Sequence, residues 1–213
     1  MVLYPRRDKL NGKEVLVDDT QLVGYREHFT QTHRILFLTG LIGIRCANCG
    51  VGEIDSHNLL MALDSLSHDP IRLIITSSGG DLDSAFLFYD TMRLIQSPIE
   101  TAGRYCSSAA AILLAAGSKR YLFPHAKVML HLPAGQMGGD ARDWDIQHRQ
   151  MEKYRNKVVD ILRECGVIKS PQEILTDIDR DFWMEPQEAI DYGLADEIMT
   201  PQIWQSWIKE KIK

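Results

Sequence analysis

Residues Gly103-Arg-Tyr-Cys-Ser-Ser-Ala-Ala-Ala-Ile-Leu-Leu-Ala-Ala-Gly117 decide how this chain is read, and Ser118-Lys-Arg-Tyr-Leu-Phe-Pro-His-Ala-Lys-Val-Met-Leu-His-Leu-Pro133 completes the pattern. The Ala/Leu-rich run predicts a buried helix, with Ser107 and Ser108 at its mouth. Two short apolar strands are expected after it, the second ending on His131 just before Pro133. A hydroxyl at a helix N-terminus lies beside backbone N–H groups that have no intrahelical partner, in the positive field of the helix. Such groups can receive the negative oxygen that develops in acyl transfer. The placement suggests a serine nucleophile with a histidine base.

Upstream, Arg34 to Thr39 reads as a strand and Glu53 to Ser67 as an amphipathic helix, with Ile54, Leu59, Leu60, Leu63 and Leu66 near helical spacing. Ile71 to Thr76 is the next strand, running into Ser77-Ser-Gly-Gly-Asp81. Leu82 to Gln96 is helical again, stopped by Ser97-Pro98, and Ile99 to Ala102 is a short strand leading to the serine pair. Downstream, Asp140 to Glu164 predicts a long helix with a heavily charged face, longer than one compact domain usually buries and suited to packing on a neighbouring subunit. Ser170-Pro-Gln-Glu173 is a helix start with a cap serine, a first-position proline and a third-position glutamate. Asp179-Arg180-Asp181 breaks that helix before Phe182-Trp-Met184. Pro186 opens another short helix closed by Gly193, and Thr200-Pro201 starts a last one. The alternation implies a parallel-type α/β core. Residues 1–33 are polar and irregular, read as a mobile arm in which Asn11-Gly12 marks a turn and Val15 to Val17 is the one strand-like run. The expected division is an arm at 1–33, one domain at 34–200 and a C-terminal helix or tail at 201–213.

The 213 residues, 45% hydrophobic and 25% charged, suit one globular domain. A net charge of -5 argues against nucleic acid as the main partner. Four cysteines (Cys46, Cys49, Cys106, Cys165) make no disulfide framework, so a reducing cytoplasm is expected. No window reaches the length of a membrane span, and the N-terminal residues hold no apolar leader core. A single CxxC at Cys46/Cys49, without a second pair or nearby histidines, is weak support for zinc, and no metal is expected.

Gly-Gly after a buried strand can be a plain turn, yet beside a helix-capping serine it suits an oxyanion pocket formed by the N–H of Gly80 and of Ser108. His131 read alone is a core histidine; His125, in a Pro-His-Ala turn, is the weaker base. A catalytic histidine needs a carboxylate partner, and spacing does not choose among Asp177, Asp179 and Asp181.

Leu-Phe-Leu-Thr-Gly, Ser-x-Gly-Gly, Tyr-Asp-Thr-Met, Leu-Leu-Ala-Ala-Gly, Val-Met-Leu-His-x-Pro, Asp-x-Asp-Arg-Asp and Glu-Ala-x-x-Tyr-Gly-Leu-x-Asp occur here in the order of a known family. Over about residues 34 to 200 the chain resembles the proteolytic subunit of the Clp protease, a self-compartmentalised serine peptidase. The resemblance implies a crotonase-like fold of repeated ββα units with a protruding handle helix from Asp140 onward. It implies nucleophile Ser107, base His131 and acid Asp181, with oxyanion donors Gly80 and Ser108, and Arg180 at the contact between rings. It further implies fourteen subunits in two stacked seven-membered rings, or a mixed ring with a paralogue. An ATP-driven AAA+ unfoldase would feed unfolded polypeptide to it, so the chain itself would need no cofactor.

The chain departs from the family pattern at Tyr105, Cys106 and Ala109 around the nucleophile, at Ser78 for a proline, in a longer loop from Ile42 to Glu53, and in the arm before Arg34. Ser108 stands where a methionine is usual, and remains an alternative nucleophile. Arg72 replaces an aromatic of the docking surface. A non-catalytic ring subunit is the alternative function, and a crotonase-type enzyme acting on acyl-CoA thioesters shares the fold but needs no serine at a helix start.

Overall fold

The computed structural model describes residues 4–7, 14–17, 28–43, 53–135 and 138–209. Cys46 and Cys49 lie outside the described residues. Two antiparallel strands, β1 (Tyr4–Arg7) and β2 (Glu14–Val17), pair with Tyr4 opposite Val17. A helical segment at residues 28–33, α1, follows. The main sheet then builds by alternation: β3 (Ile35–Thr39), α2 (Glu53–Leu66), β4 (Ile71–Ser77), α3 (Leu82–Leu94), β5 (Ile99–Ser107), α4 (Ala109–Ala115) and β6 (Lys119–Leu130). After β6 come α5 (Ala141–Glu164), α6 (Pro171–Asp177), β7 (Phe182–Met184), α7 (Pro186–Tyr192), β8 (Glu197–Ile198) and α8 (Pro201–Lys209). Strand order is β3-β4-β5-β6-β7, with β8 beside β6; β3 to β6 run parallel and β7 antiparallel. This is the mixed α/β fold expected.

The sheet runs parallel because each crossover is a helix that must cover it. β4 reads Ile-Arg-Leu-Ile-Ile-Thr-Ser and buries six of its seven residues, the near-continuous burial of a strand covered on both faces. On one face lies the main core, centred on α4. All seven residues of α4 are buried, which the alanines permit by letting the helix sit close against β5 and α3. On the other face Ile74, Ala102 and Tyr121 form a row across three strands, in direct register. Trp207 of α8 closes that row at 1% exposure, edge-on to Tyr121 with ring centroids 5.6 Å apart. Arg72 sits beneath it, its guanidinium 5.8 Å from the Trp207 ring and 3.5 Å from Glu100, and its Nη1 donates to the Trp207 carbonyl. Trp207→Ala is therefore expected to cost about 3–5 kcal/mol, the range for emptying a buried aromatic site. A urea titration followed by circular dichroism reads this; an unshifted midpoint would mean that α8 does not hold the sheet.

Three differences from the sequence reading bear on the site. Residues 28–33 are helical although too few to hold a helix alone; Phe29 packs edge-on against Phe37 at 6.2 Å, and the Thr30 hydroxyl donates to the Ile35 carbonyl. The two strands expected after α4 are one, β6, whose register against β5 breaks between Leu122 and Lys127. Finally, β5 extends five residues past Ala102, to Ser107, and carries an irregularity at Arg104. Gly103 pairs with Ile75 and Tyr105 with Thr76, so Arg104 is one residue more than β4 has to match it. Its guanidinium lies over the Phe123 ring at 5.3 Å, in the stretch where β6 also leaves register.

Candidate active site

The extra residue in β5 moves the serines. Ser107 is the last residue of the strand, pairs with Met129 and is 3% exposed. Ser108 follows as the cap of α4, with φ 58° and ψ -127°, a left-handed setting that a residue with a Cβ seldom adopts. The strand thus ends in a sharp elbow that lifts Ser108 out of the sheet, the geometry of a strained strand-to-helix nucleophile turn. His131, the residue after β6, brings its Nε2 to 2.7 Å from the Ser108 Oγ. The hydroxyl in contact with the imidazole is that of Ser108, so the expected pairing of Ser107 with His131 is corrected by one position.

The amides shift with it. The Ser108 N–H donates to the Met129 carbonyl at 2.8 Å and is not free to receive a substrate oxygen, which corrects the expected donor. The next amide, Ala109, opens α4 and has no intrahelical acceptor. Gly80 remains in place as the other expected donor; its N–H has no partner among the described residues. The turn that presents it is tightly held: the Gly79 N–H donates to Ser77 Oγ at 3.1 Å, the Ile42 N–H donates to the Gly79 carbonyl at 2.9 Å, and the Asp81 N–H to the Ile42 carbonyl at 3.0 Å.

Both glycines are required by close approach. A Cβ on Gly79 would stand 2.6 Å from the Ser107 carbonyl oxygen and 2.7 Å from the Ser108 Cβ, so the missing side chain is what lets the turn lie against the elbow. A Cβ on Gly80, whose φ is +149°, would overlap the Ile42 backbone.

The structure separates the three acids. Asp177 is engaged by Lys169 Nζ at 2.7 Å and by the Tyr192 hydroxyl at 3.0 Å. Asp179 lies beside Arg180, 3.3 Å away. Asp181 faces His131, with Oδ1 3.8 Å from Nδ1, an ion-pair distance longer than a hydrogen bond. The segment carrying it is tied to the histidine's own backbone through the Leu132 N–H, which donates to the Ile178 carbonyl at 2.9 Å. Arg180 is 88% exposed on this segment. Cys106, next to Ser107, is fully buried and burial pushes its thiol pKa up, so it is no rival nucleophile.

A cavity of about 270 Å³ opens beside the Ser108–His131 pair, with Gly80 and Ala109 in its wall. Its far side is made by α3 and α5, including Asp81, Asp83 and Tyr154, which the sequence reading did not single out. No local motif marks them; only the packing of α5 across α3 brings Tyr154 to Asp83.

A family model described as Clp protease matches residues 28–202. The chain is 37% identical over 171 residues to the ATP-dependent Clp protease proteolytic subunit 1 of Rhodopirellula baltica, covering 78% of this chain and 72% of that protein. It is 37% identical over 146 residues to the chloroplastic ATP-dependent Clp protease proteolytic subunit 4 of Arabidopsis thaliana, covering 66% of this chain and 49% of that protein. The chain belongs to the Clp protease family. The match takes in the whole Clp-family sheet and the long helix α5, and reaches only the first two residues of α8. No helix among the described residues is long and apolar enough to cross a membrane.

Proposed function

We propose that this chain is a serine endopeptidase subunit of a self-compartmentalised Clp-type protease, with Ser108 as nucleophile, His131 as general base and Asp181 as the carboxylate that orients it. The observation that carries the reading is the 2.7 Å contact of His131 Nε2 with a hydroxyl held at a positive-φ elbow, directly against the Gly79–Gly80 turn. His131 takes the Ser108 proton as Oγ attacks the peptide carbonyl. The oxygen of the tetrahedral intermediate is received by the N–H groups of Gly80 and Ala109, which need no reorganisation because the bridged turn after β4 and the start of α4 fix them. The protonated imidazole gives its proton to the leaving amine, and a water then repeats the sequence on the acyl-enzyme. Asp181 at Nδ1 holds the tautomer that leaves Nε2 free to accept.

Assembly into two stacked seven-membered rings, of this chain alone or with a paralogue, is proposed with it, and α5 supports a contact between subunits. Val158, Val159, Ile161 and Leu162 at its C-terminal end are buried, whereas Trp144 and Ile146 near its start are 55% and 51% exposed. An isolated subunit would leave these apolar side chains in water; a second ring would cover them. Arg180 is proposed to join the same contact. The relatives' names carry ATP dependence, and this chain is proposed to receive unfolded polypeptide from an AAA+ unfoldase in the cytoplasm. Labelling with a fluorophosphonate probe, followed by peptide mapping and light scattering, tests the reading. Ring-sized particles labelled at Ser108 are expected; ring-sized particles that stay unlabelled would indicate a structural subunit instead.

A further inference from the structure

The cavity beside Ser108 has a floor and a mouth of opposite character. Ile112, Leu130 and Val158, each 4% exposed or less, line it together with Met151. Two carboxylates, Asp81 and Asp83, also line it, and among the described residues no lysine or arginine does. Both carboxylates are exposed, and both are fixed in place. Asp81 caps α3, accepting the Ser84 N–H at 2.8 Å. Asp83 accepts the Tyr154 hydroxyl through both oxygens, at 3.0 and 2.8 Å. That bond raises the pKa of the phenol, so Tyr154 stays neutral, and no cation among the described residues lining the cavity offsets the charge of Asp83. Lys157, one turn further along α5, is drawn instead over the Phe86 ring at 4.7 Å.

An apolar trough that ends at two held negative charges matches a side chain with a methylene stem and a cationic tip. A purely apolar side chain would fill the floor but bring its end against hydrated carboxylates, and an acidic one would be repelled. Resting on the peptidase reading above, we infer that the cavity selects lysine or arginine at the residue whose carbonyl Ser108 attacks, with Asp81 and Asp83 as the specificity-determining side chains.

Short blocked peptides ending in lysine, norleucine or glutamate before a fluorogenic leaving group test this on the full-length protein. Norleucine keeps the four-carbon stem and lacks the charge. The lysine peptide is expected to exceed norleucine in kcat/KM by about 10-fold at low salt, the combined effect of two exposed charge pairs, and the ratio narrows as salt is added. Asp83→Asn and Asp81→Asn keep the hydrogen-bonded acceptors and remove one charge each, so each lowers the lysine-to-norleucine ratio by about threefold. A norleucine peptide cleaved as well as lysine, with Ser108 labelled by the fluorophosphonate, overturns the cavity inference alone. No cleavage of any peptide, with Ser108 unlabelled, overturns the peptidase reading and this inference with it.

Discussion

Ser108→Ala lowers hydrolysis of a short fluorogenic peptide by roughly 10⁴- to 10⁶-fold, the loss typical of removing a serine nucleophile, whereas Ser107→Ala stays within about threefold of the unmodified chain. The pair of variants is the sharpest test available because the two hydroxyls are adjacent in sequence and differ only in what the fold does with them. Ser107 is held in the sheet by its pairing with Met129, and its side chain is buried. Ser108 is turned out by its φ of 58° and meets His131. Alanine at 108 removes the oxygen without asking more of the backbone, so ring assembly, read by light scattering, is expected to persist. The reverse result, activity lost at 107 and kept at 108, would mean that the working enzyme re-registers the end of β5, and would sink the assignment made here.

That one-residue question shows where the sequence stops being informative. Periodicity and punctuation locate nearly every element of the main sheet. α6 starts at Pro171 behind Ser170 with both halves of its capping box formed, and α5 runs from Ala141 behind the cap of Asp140 to Glu164. These signals are local, and the local chemistry is enough. The nucleophile is a matter of register, and register in β5 is set by an irregularity at Arg104 that leaves no trace in a strand's own sequence. Counting forward from Gly103 crosses that extra residue and lands on Ser107; the chain itself spends it on the Arg104–Phe123 contact. The same holds for the pairing of Tyr4–Arg7 with Glu14–Val17, where the irregular Tyr-Pro-Arg-Arg becomes a strand only through its partner. Asp83 and Tyr154, 71 residues apart, meet only because α5 folds back over α3. Sites built across elements are fixed by packing, and packing is not written in any one window of the sequence.

The acid was left open by spacing for a similar reason, and it carries the second large effect. Asp181→Asn is expected to reduce kcat by roughly 10²- to 10⁴-fold with KM little changed, because the amide can hold His131 in the wrong tautomer and cannot stabilise the imidazolium. The present 3.8 Å separation lies beyond hydrogen-bond range, and Asp181 is 61% exposed. A productive complex must therefore draw the carboxylate in by nearly an ångström, a displacement available to an exposed side chain at the end of a turn. Asp177→Asn supplies the contrast. Its carboxylate is already taken by Lys169 and Tyr192, and burial, together with the latter bond, keeps the phenol protonated. Losing that charge should loosen the α6–α7 packing, lowering the thermal midpoint while kcat at low temperature stays near the parent value. Steady-state kinetics and a melting curve on both variants separate the two roles. Equal kcat values in Asp181→Asn and the parent would show that His131 works as a base without a carboxylate partner, and that the 3.8 Å contact is only a neighbouring surface charge.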